Sequence, residues 1–335
     1  MDKKQLNNFK KSMKYSISQK DKAEEVATKL TNKGIKNIFL LGCGGSLMVM
    51  YPAKYILETN SDIPVYVYNA GEFITTKPQT LTKNSLVILS SFSGTTDEVV
   101  EAYNYANKVG ASTLAFSSKN SPLGDNVDYL FELKSKTGVN ESQIIMILSL
   151  MFNIIKHNND FNQYDKFIDT LKVLPEILVN LQKQVENDAE DFAKNNKEVD
   201  FFMVVGSGPN WGEVYQFATC NLEEMQWIKA QPVHAGEFFH GSFEIIREDS
   251  NIIIFNGEDR TRPLIKRTLD FTDKHCRNVT TIDTKKYELP GMDKELREYF
   301  SPLIISTIKS VYFKKLAKIR NHPADTRKYM GKIEY

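Results

Sequence analysis

Four hydroxyl residues surround Gly94 in the sequence, namely Ser91, Ser93, Thr95 and Thr96. An apolar run precedes them, and acidic residues typical of a helix start follow them. The first turn of a helix has unpaired backbone N–H groups and a positive dipole end, and both favour an anion. The loop has no lysine of the GxxxxGK[ST] pattern, so it predicts a site for one phosphate group, such as that of a phosphorylated sugar. The alternative is a serine-rich turn with ordinary N-capping.

A glutamate on the apolar face of a predicted helix is the candidate proton carrier. Residues 211–229 have a helical pattern in which steps from Phe217 reach Glu224 and then Ile228. Glu223 points about 100° away from that face. A carboxyl group on a buried face loses hydration, and this moves a carboxyl pKa toward neutrality, where the group can exchange protons. The alternative is a capped or salt-bridged structural glutamate.

Two histidines follow this helix in the segment 230–241. His240 precedes Gly241, which permits close backbone approach, and it is our candidate for opening a sugar ring by proton transfer at the ring oxygen. His234 has the alternative of a structural histidine bonded to the backbone. The spacing also leaves open a metal site formed by His234, Glu237 and His240, although we predict no metal.

Two units of strand, glycine turn and helix recur in the chain. The first is NIFLLGCGGSL, which contains Gly42, and the second is DFFMVVGSGPNW, which contains Gly206. Strands that alternate with helices predict parallel sheets flanked by helices on both faces. We therefore predict an α/β fold of two similar lobes, with the first domain at residues 10–160 and the second at residues 195–335.

The two predicted lobes differ at the loop that follows their second strand. Glu258 and Asp259 stand in the second lobe where the first lobe has hydroxyls. Because carboxylates repel a phosphate, we expect only the first lobe to bind one. A dinucleotide-binding unit is a weak alternative, since its GxGxxG pattern needs a glycine where GCGGSL has Leu47.

Composition excludes several classes of partner. The chain has 335 residues, 41% of them hydrophobic and 25% charged, and a formal net charge of +1. We therefore expect no nucleic-acid or membrane partner, and no apolar stretch approaches the roughly 20 residues of a membrane span. Three cysteines, an odd number without a paired spacing, suggest neither a disulfide framework nor a metal site, so a reducing cytoplasm is the expected location.

Three motifs together resemble the sugar isomerase (SIS) fold in its double-domain form. They are GCGGS from Gly42, SSFSGT from Ser90 and HAGEFFHG from His234. This fold is shared by the isomerase half of glucosamine-6-phosphate synthase and by the fructosamine-6-phosphate deglycases. The resemblance spans roughly residues 10–335 and includes the tail HPADTRKYMGKIEY.

The resemblance implies a set of site residues. The phosphate and substrate contacts fall on Gly44, Gly45, Ser46, Ser91, Ser93 and Thr96. The catalytic glutamate of the family lies 16 residues before the HG histidine, which implies Glu224 for His240. The tail lysine of the family falls on Lys332 after a one-residue gap, with Lys328 as the alternative.

The resemblance also favours one branch of the family. The isomerase branch has a second glutamate and a lysine where this chain has Phe217 and Asn221, and it has a glutamine at the position of Phe92. FFHG followed by FEI, and the ending YMGKIEY, are closer to the deglycases. We therefore expect cleavage of a fructosamine 6-phosphate, such as fructoselysine 6-phosphate, to glucose 6-phosphate and a free amino acid.

Three further expectations follow from the resemblance. The reaction needs no metal or redox cofactor, because the substrate nitrogen supplies the electron sink. In the family the HG histidine reaches into the sugar site of a partner subunit, which implies a homodimer or a higher homo-oligomer. The alternatives for function are an aldose–ketose isomerase or an aminosugar-phosphate deaminase, and a non-catalytic sugar-phosphate sensor.

Overall fold

Two parallel β-sheets, each flanked by helices, are the frame of the molecule. The computed structural model describes residues 3–159 and 161–334. The chain divides into one unit of Met1–Glu176 with Gly291–Tyr299 and a second unit of Ile177–Pro290 with Phe300–Tyr335. The predicted α/β class with two parallel sheets is confirmed.

Nine strands are found in the described parts of the chain. Their bounds are Asn37–Gly42 (β1), Val65–Asn69 (β2), Ser85–Ser91 (β3), Ser112–Ser117 (β4), Tyr129–Glu132 (β5), Phe201–Gly206 (β6), Lys229–His234 (β7), Asn251–Asn256 (β8) and Asn278–Asp283 (β9). The first unit has the strand order β2-β1-β3-β4-β5, and the second has the order β7-β6-β8-β9. All seven residues of β3 are buried, as expected for a parallel strand covered on both faces.

Twelve α-helices lie in the same described ranges. They are Lys3–Ser18 (α1), Lys20–Asn32 (α2), Gly44–Met48 (α3), Tyr51–Asn60 (α4), Ala70–Thr76 (α5), Asp97–Val109 (α6), Val139–Asn159 (α7), Tyr164–Gln184 (α8), Glu186–Asn196 (α9), Trp211–Tyr215 (α10), Arg262–His275 (α11) and Arg297–Ile319 (α12). Among these helices, none is long and apolar enough to cross a membrane.

The strand order reverses at the same point in both sheets. From β1 the chain goes to one neighbour, β2, and then returns to the other side of β1 as β3. From β6 it likewise goes to β7 and then to β8. In open parallel sheets, ligands bind beyond the carboxyl ends of the strands where the order reverses. The loops after β1 and β3, and those after β6 and β8, are therefore the places to look for a site.

The helix predicted over residues 211–229 is only partly α-helical, which corrects the sequence expectation. α10 ends at Tyr215, and Gln216–Glu224 form a π-helix, whose hydrogen bonds join residues five apart. The wider turn changes which side chains share a face, so the step counting from Phe217 does not apply. The burial contrast still holds, since Glu224 is partly buried and Glu223 is exposed.

Trp227 redirects the chain after the π-helix. Its φ of 57° lies in the left-handed region, which is uncommon for a bulky residue. Its N–H donates to the carbonyl of Glu223 at 3.1 Å, and the next N–H, of Ile228, donates to that of Leu222 at 3.0 Å. These bonds close the helix and lead directly into β7.

Candidate functional site

The carboxyl ends of β1 and β3 bring two loops of the first unit together. Gly42 at the end of β1 is in register with Ser90 of β3. A Cβ on Gly42 would lie 3.0 Å from the Leu47 nitrogen and 3.1 Å from the Ser90 oxygen, so this close approach favours glycine. Ser46 and the hydroxyl loop after Ser90 therefore lie beyond neighbouring strand ends.

Hydrogen bonds within the hydroxyl loop fix its shape. The Ser91 side chain is buried, and its Oγ accepts the Gly94 N–H at 3.1 Å and lies 2.9 Å from Thr96 Oγ1. Ser93 is exposed, and its Oγ accepts from the Thr95 N–H at 3.2 Å and from Thr95 Oγ1 at 2.9 Å. Thr96 is the N-cap residue of α6, but its side chain makes no capping bond. The loop thus holds several hydroxyls at a helix start.

The segment after β4 holds the hydroxyl loop in place by hydrogen bonds to its backbone carbonyls. The carbonyl of Phe92 accepts the Ser118 N–H at 3.0 Å and the Ser118 Oγ–H at 2.6 Å. The carbonyl of Gly94 accepts the Leu123 N–H at 3.1 Å. Gly94 has a φ of 69°, and a Cβ there would lie 2.1 Å from Ser121 Oγ. Glycine is therefore required at the centre of the loop for both space and conformation.

The corresponding loop of the second unit already holds a carboxylate. Asp259 is 4% exposed, and its Oδ1 accepts the Thr261 N–H at 2.9 Å and the Thr261 Oγ1–H at 2.5 Å. Its Oδ2 accepts from Asn210 Nδ2 at 2.8 Å. Burial raises the pKa of this carboxyl, and the donated hydrogen bonds act in the opposite direction.

The residues that bind Asp259 occupy positions in the second unit that correspond to residues of the predicted phosphate-binding set in the first unit. Thr261 is the N-cap residue of α11, as Thr96 is of α6, and Asn210 follows Gly206 by the same four residues that separate Ser46 from Gly42. Asp259 therefore bridges the counterparts of Thr96 and Ser46. The side chain of Asp259 thus occupies the hydrogen-bond donors at this position of the second unit. It also explains in structural terms why we expect only the first unit to take up a phosphate.

Glu224, the last residue of the π-helix, is ion-paired. Its Oε1 lies 2.7 Å from Nη2 of Arg327, and the two side chains are 25% and 20% exposed, respectively. Both residues line a cavity of about 470 Å³ together with Glu223, Trp227, Lys328, Tyr329 and Met330. The candidate proton carrier is thus reachable from an open cavity, and the C-terminal segment forms one side of it.

An indole and a second cation complete this cavity. Trp227 is 45% exposed, and Nζ of Lys328 lies 5.0 Å from the centre of its ring, within the range of a cation–π contact. The ring of His322 packs edge-on against the same indole, with 4.5 Å between centroids. The cavity therefore combines two carboxylates, two cations and a flat apolar surface.

The two histidines of the following segment have different surroundings. His240 is exposed in a 3₁₀ turn, where its backbone N–H donates to the carbonyl of Glu237 at 2.9 Å. His234 Nδ1 accepts the Gly236 N–H at 3.1 Å, its ring packs on Trp211, and burial lowers its pKa. His234 therefore matches the structural alternative. Within residues 3–159 and 161–334, no group of three or more histidine, cysteine or acidic side chains could hold a metal.

The two candidate tail lysines have different positions relative to the cavity of Glu224. Lys328 lines the cavity of Glu224, whereas Lys332 is exposed and is not among the residues that line it. The phosphate set of Gly44, Gly45, Ser46, Ser91, Ser93 and Thr96 belongs to the first unit, and Glu224, His240 and both lysines belong to the second.

Sequence reasoning did not single out Arg327 or Trp227. Arg327 lies within the quoted tail motif, but nothing in the spacing pairs it with Glu224, which is about a hundred residues earlier. Trp227 is one of only two tryptophans in the chain, and its rarity next to Glu224 was the available signal.

Comparison with known proteins identifies the family. The model of the SIS domain matches residues 30–154, which include the hydroxyl loop. A fructosamine deglycase of Bacillus subtilis (strain 168) is 36% identical over 313 residues, which cover 91% of this chain and 94% of that protein. The chain belongs to the SIS domain family of sugar-phosphate enzymes. The predicted resemblance is thereby confirmed.

Two further proteins are similar over nearly the whole chain. A fructoselysine 6-phosphate deglycase of Escherichia coli (strain K12) is 24% identical over 312 residues, covering 92% of this chain and 90% of that protein. The crystal structure of a candidate phosphosugar isomerase of Salmonella typhimurium is 32% identical, with a TM-score of 0.88, and the match covers 94% of this chain and 99% of that one. The likeness thus extends over both units of this SIS chain.

Proposed function

We propose that this SIS chain is a deglycase, which converts a fructosamine 6-phosphate, such as fructoselysine 6-phosphate, into glucose 6-phosphate and a free amino acid. The observation that carries the proposal is the cavity of about 470 Å³ beside Glu224, with the indole of Trp227 in its wall. A deglycase needs such space next to its proton carrier, because an amino acid is attached through nitrogen to C1 of its substrate. The names of two relatives agree with this activity.

The residue at position 217 supports the same choice. Phe217 is 1% exposed, and its ring packs against Phe255 with 5.7 Å between centroids. The resemblance places a second glutamate of the isomerase branch at this position. A buried phenylalanine offers no proton-transfer group there, so the chemistry of this chain relies on fewer acids and bases.

The phosphate of the substrate binds at the hydroxyl loop. Ser46, Ser91, Ser93 and Thr96 donate hydrogen bonds together with backbone N–H groups at the start of α6. The carboxylate of Asp259 on the counterpart residues of the second unit supports this assignment. Neutral hydrogen-bond donors suit a single phosphate monoester. The loop therefore needs no lysine to bind it.

Proton transfers at C1 and C2 then release the amine. His240 opens the sugar ring by moving a proton at the ring oxygen. Glu224 removes a proton from C1 to give an enaminol and delivers a proton to C2, which leaves an imine between C1 and nitrogen. Water adds to C1 of the imine, and the C1–nitrogen bond breaks to give the aldehyde of glucose 6-phosphate and the amine. The C2 carbonyl accepts the electron pair that the C1 proton leaves behind, and the nitrogen lone pair forms the imine and is recovered when the C1–nitrogen bond breaks. The reaction therefore balances without a metal or redox cofactor.

A tail lysine stabilises the charge that develops on the enaminol oxygen. The resemblance assigns this task to Lys332, while the lining of the cavity favours Lys328. Lys332→Gln and Lys328→Gln, measured in the same assay, decide between them, since only the residue in contact with the substrate should cause a large fall in kcat.

Synthetic fructosamine 6-phosphates test the proposed function. The protein is incubated with such compounds, and glucose 6-phosphate is measured by a coupled dehydrogenase assay, with and without a chelator. We expect equal amounts of glucose 6-phosphate and free amine, unaffected by the chelator. Interconversion of glucose 6-phosphate and fructose 6-phosphate without amine release would support the isomerase instead. Binding without turnover would support the sensor.

A further inference from the structure

The ion pair between Glu224 and Arg327 conflicts with the proposed task of the glutamate. A general base needs an oxygen lone pair that faces the proton it removes. In this structure the guanidinium of Arg327 lies 2.7 Å from Oε1 of Glu224. The pair must therefore separate, or the guanidinium must acquire another partner, before Oε1 is available as well as Oε2.

The contacts of Arg327 show how it can leave Glu224. Its Nη1 donates to the carbonyls of Ala324 at 2.8 Å and Thr326 at 3.0 Å, both within the C-terminal segment itself. These bonds hold the guanidinium to its own segment and move with it. The contact with Glu224 is made by the other nitrogen, Nη2, which faces the cavity residues. Nη1 is thus held by its own segment. Nη2 is the nitrogen that can exchange the carboxylate of Glu224 for another carboxylate.

The proposed substrate brings a carboxylate of its own. Its amine part is an amino acid, joined through nitrogen to C1, the carbon from which Glu224 removes a proton. A group that contacts Glu224 is therefore close to the atoms attached to that nitrogen. An arginine binds a carboxylate through two parallel hydrogen bonds, and replacing one carboxylate by another keeps its charge paired throughout. Trp227 and Lys328 supply an apolar surface and a second positive charge beside it.

We propose that Arg327 is the receptor for the carboxylate of the amino acid part of the substrate, and that its transfer from Glu224 to that carboxylate releases the glutamate for catalysis. This inference rests on the proposed deglycase function. It makes Arg327 a specificity-determining residue, because a sugar phosphate without the carboxylate leaves the base paired. It also links binding of the correct substrate to the availability of the base.

Two substrates that differ only in the carboxylate test this inference. They are the fructosamine 6-phosphates of glycine and of ethylamine. We expect the wild-type protein to cleave the glycine compound with a kcat/KM about 10- to 100-fold higher, since one charge-assisted contact is lost with ethylamine. Part of the difference should appear in kcat, because the base stays paired when the carboxylate is missing. This comparison requires no variant.

The variant Arg327→Gln should act on the two substrates in opposite directions. Turnover of the glycine compound should fall about 10- to 100-fold, and turnover of the ethylamine compound should stay at or above its wild-type value, because the glutamate is no longer ion-paired. A structural role for Arg327 would lower both rates together. The matched control is Arg277→Gln, which removes a guanidinium from an exposed ion pair with Glu248.

The outcomes separate this inference from the function on which it rests. Failure of the wild-type protein to cleave either compound would overturn the proposed deglycase. Cleavage of both compounds at similar rates would keep the deglycase and overturn the role of Arg327. Equal losses for both substrates in Arg327→Gln would also overturn it.

Discussion

At the scale of single residues, two neighbouring carboxylates have different surroundings. Glu224 pairs with Arg327, whereas Glu223 is exposed, and its Oε1 accepts the Ala230 N–H at 3.3 Å. Both line the same cavity, so position alone does not decide which of them transfers protons. The proposed function depends on Glu224.

The change Glu224→Gln keeps the size of the side chain and removes its basicity. We expect substrate to bind while turnover falls about 10²- to 10⁴-fold, the usual contribution of a general acid–base group. Exchange of the C1 proton with solvent deuterium, followed by NMR, should disappear in parallel. Glu223→Gln is the matched control and should change kcat only slightly. An essential Glu223 with a dispensable Glu224 would contradict the assignment.

A second prediction concerns His234 and pH. Burial lowers its pKa in the folded state, so the neutral ring, whose Nδ1 accepts the Gly236 N–H, is favoured there. The unfolded chain binds a proton more readily, so the stability that this residue contributes is present above the unfolded pKa, about 6.5, and is lost as the pH falls. We expect His234→Asn to lower the unfolding midpoint more at pH 7.5 than at pH 5.5. A difference that grows at the lower pH would contradict this direction.

At the scale of elements, the hydroxyl loop is held by the segment after β4, so its geometry is present before a ligand binds. Contacts to a phosphate from such a loop persist from the ground state to the transition state. They therefore contribute to KM more than to kcat. This separates the function of the loop from that of the proton carrier.

We expect Ser93→Ala combined with Thr96→Ala to raise KM more than it lowers kcat. The control is Thr75→Ala combined with Thr76→Ala, which removes two exposed hydroxyls from α5, where they bond only to backbone carbonyls. Steady-state kinetics on both double variants provide the comparison. An unchanged KM in the first would require a phosphate site elsewhere.

The strands and the hydroxyl loop could be predicted because their signals are local. β3 is a short apolar run, and Gly94 and its hydroxyl neighbours are contiguous in the sequence. The π-helix could not be predicted, since residues 216–224 contain neither glycine nor proline. Beside its start, the buried ammonium of Lys309 lies 2.7 Å from Glu213 Oε2 and 2.8 Å from Gln216 Oε1, although it is 93 residues further along the chain than Gln216. A contact over such a distance leaves no periodic pattern.

The candidate site was predictable only in part, for the same reason. Residue types and the resemblance together made Glu224 and His240 candidates, and the resemblance alone added Ser46; all three stay predictions. Arg327 belongs to a polar tail, where one cation resembles any other until the fold brings it to a partner. The resemblance placed the tail lysine on Lys332 after a one-residue gap, with Lys328 as the alternative, and Lys328 is the one of the two that lines the cavity of Glu224.

At the scale of the whole molecule, we propose that Glu224 and His240 serve one site from two different chains. Homodimers that contain Glu224→Gln in one chain and His240→Ala in the other would then have one intact site. With random exchange, half of the dimers are mixed, so activity should recover to about a quarter of the wild-type value. The control mixture pairs Glu224→Gln with the double variant of both residues and should stay inactive. No recovery in proven heterodimers would place both residues in the site of one chain.

The carboxylate of Asp259 has a consequence for the response to inorganic phosphate. Because the second unit carries a covalently attached anion on Thr261 and Asn210, a dissolved anion would have to displace it at the cost of those hydrogen bonds. Calorimetric titration should therefore give a stoichiometry of one phosphate per chain, and phosphate should act as a simple competitive inhibitor with one inhibition constant. Ligand binding stabilises only the folded form that holds it, so any protection by phosphate buffer against heat begins in the first unit. A chain with two similar units then binds inorganic phosphate at one site only.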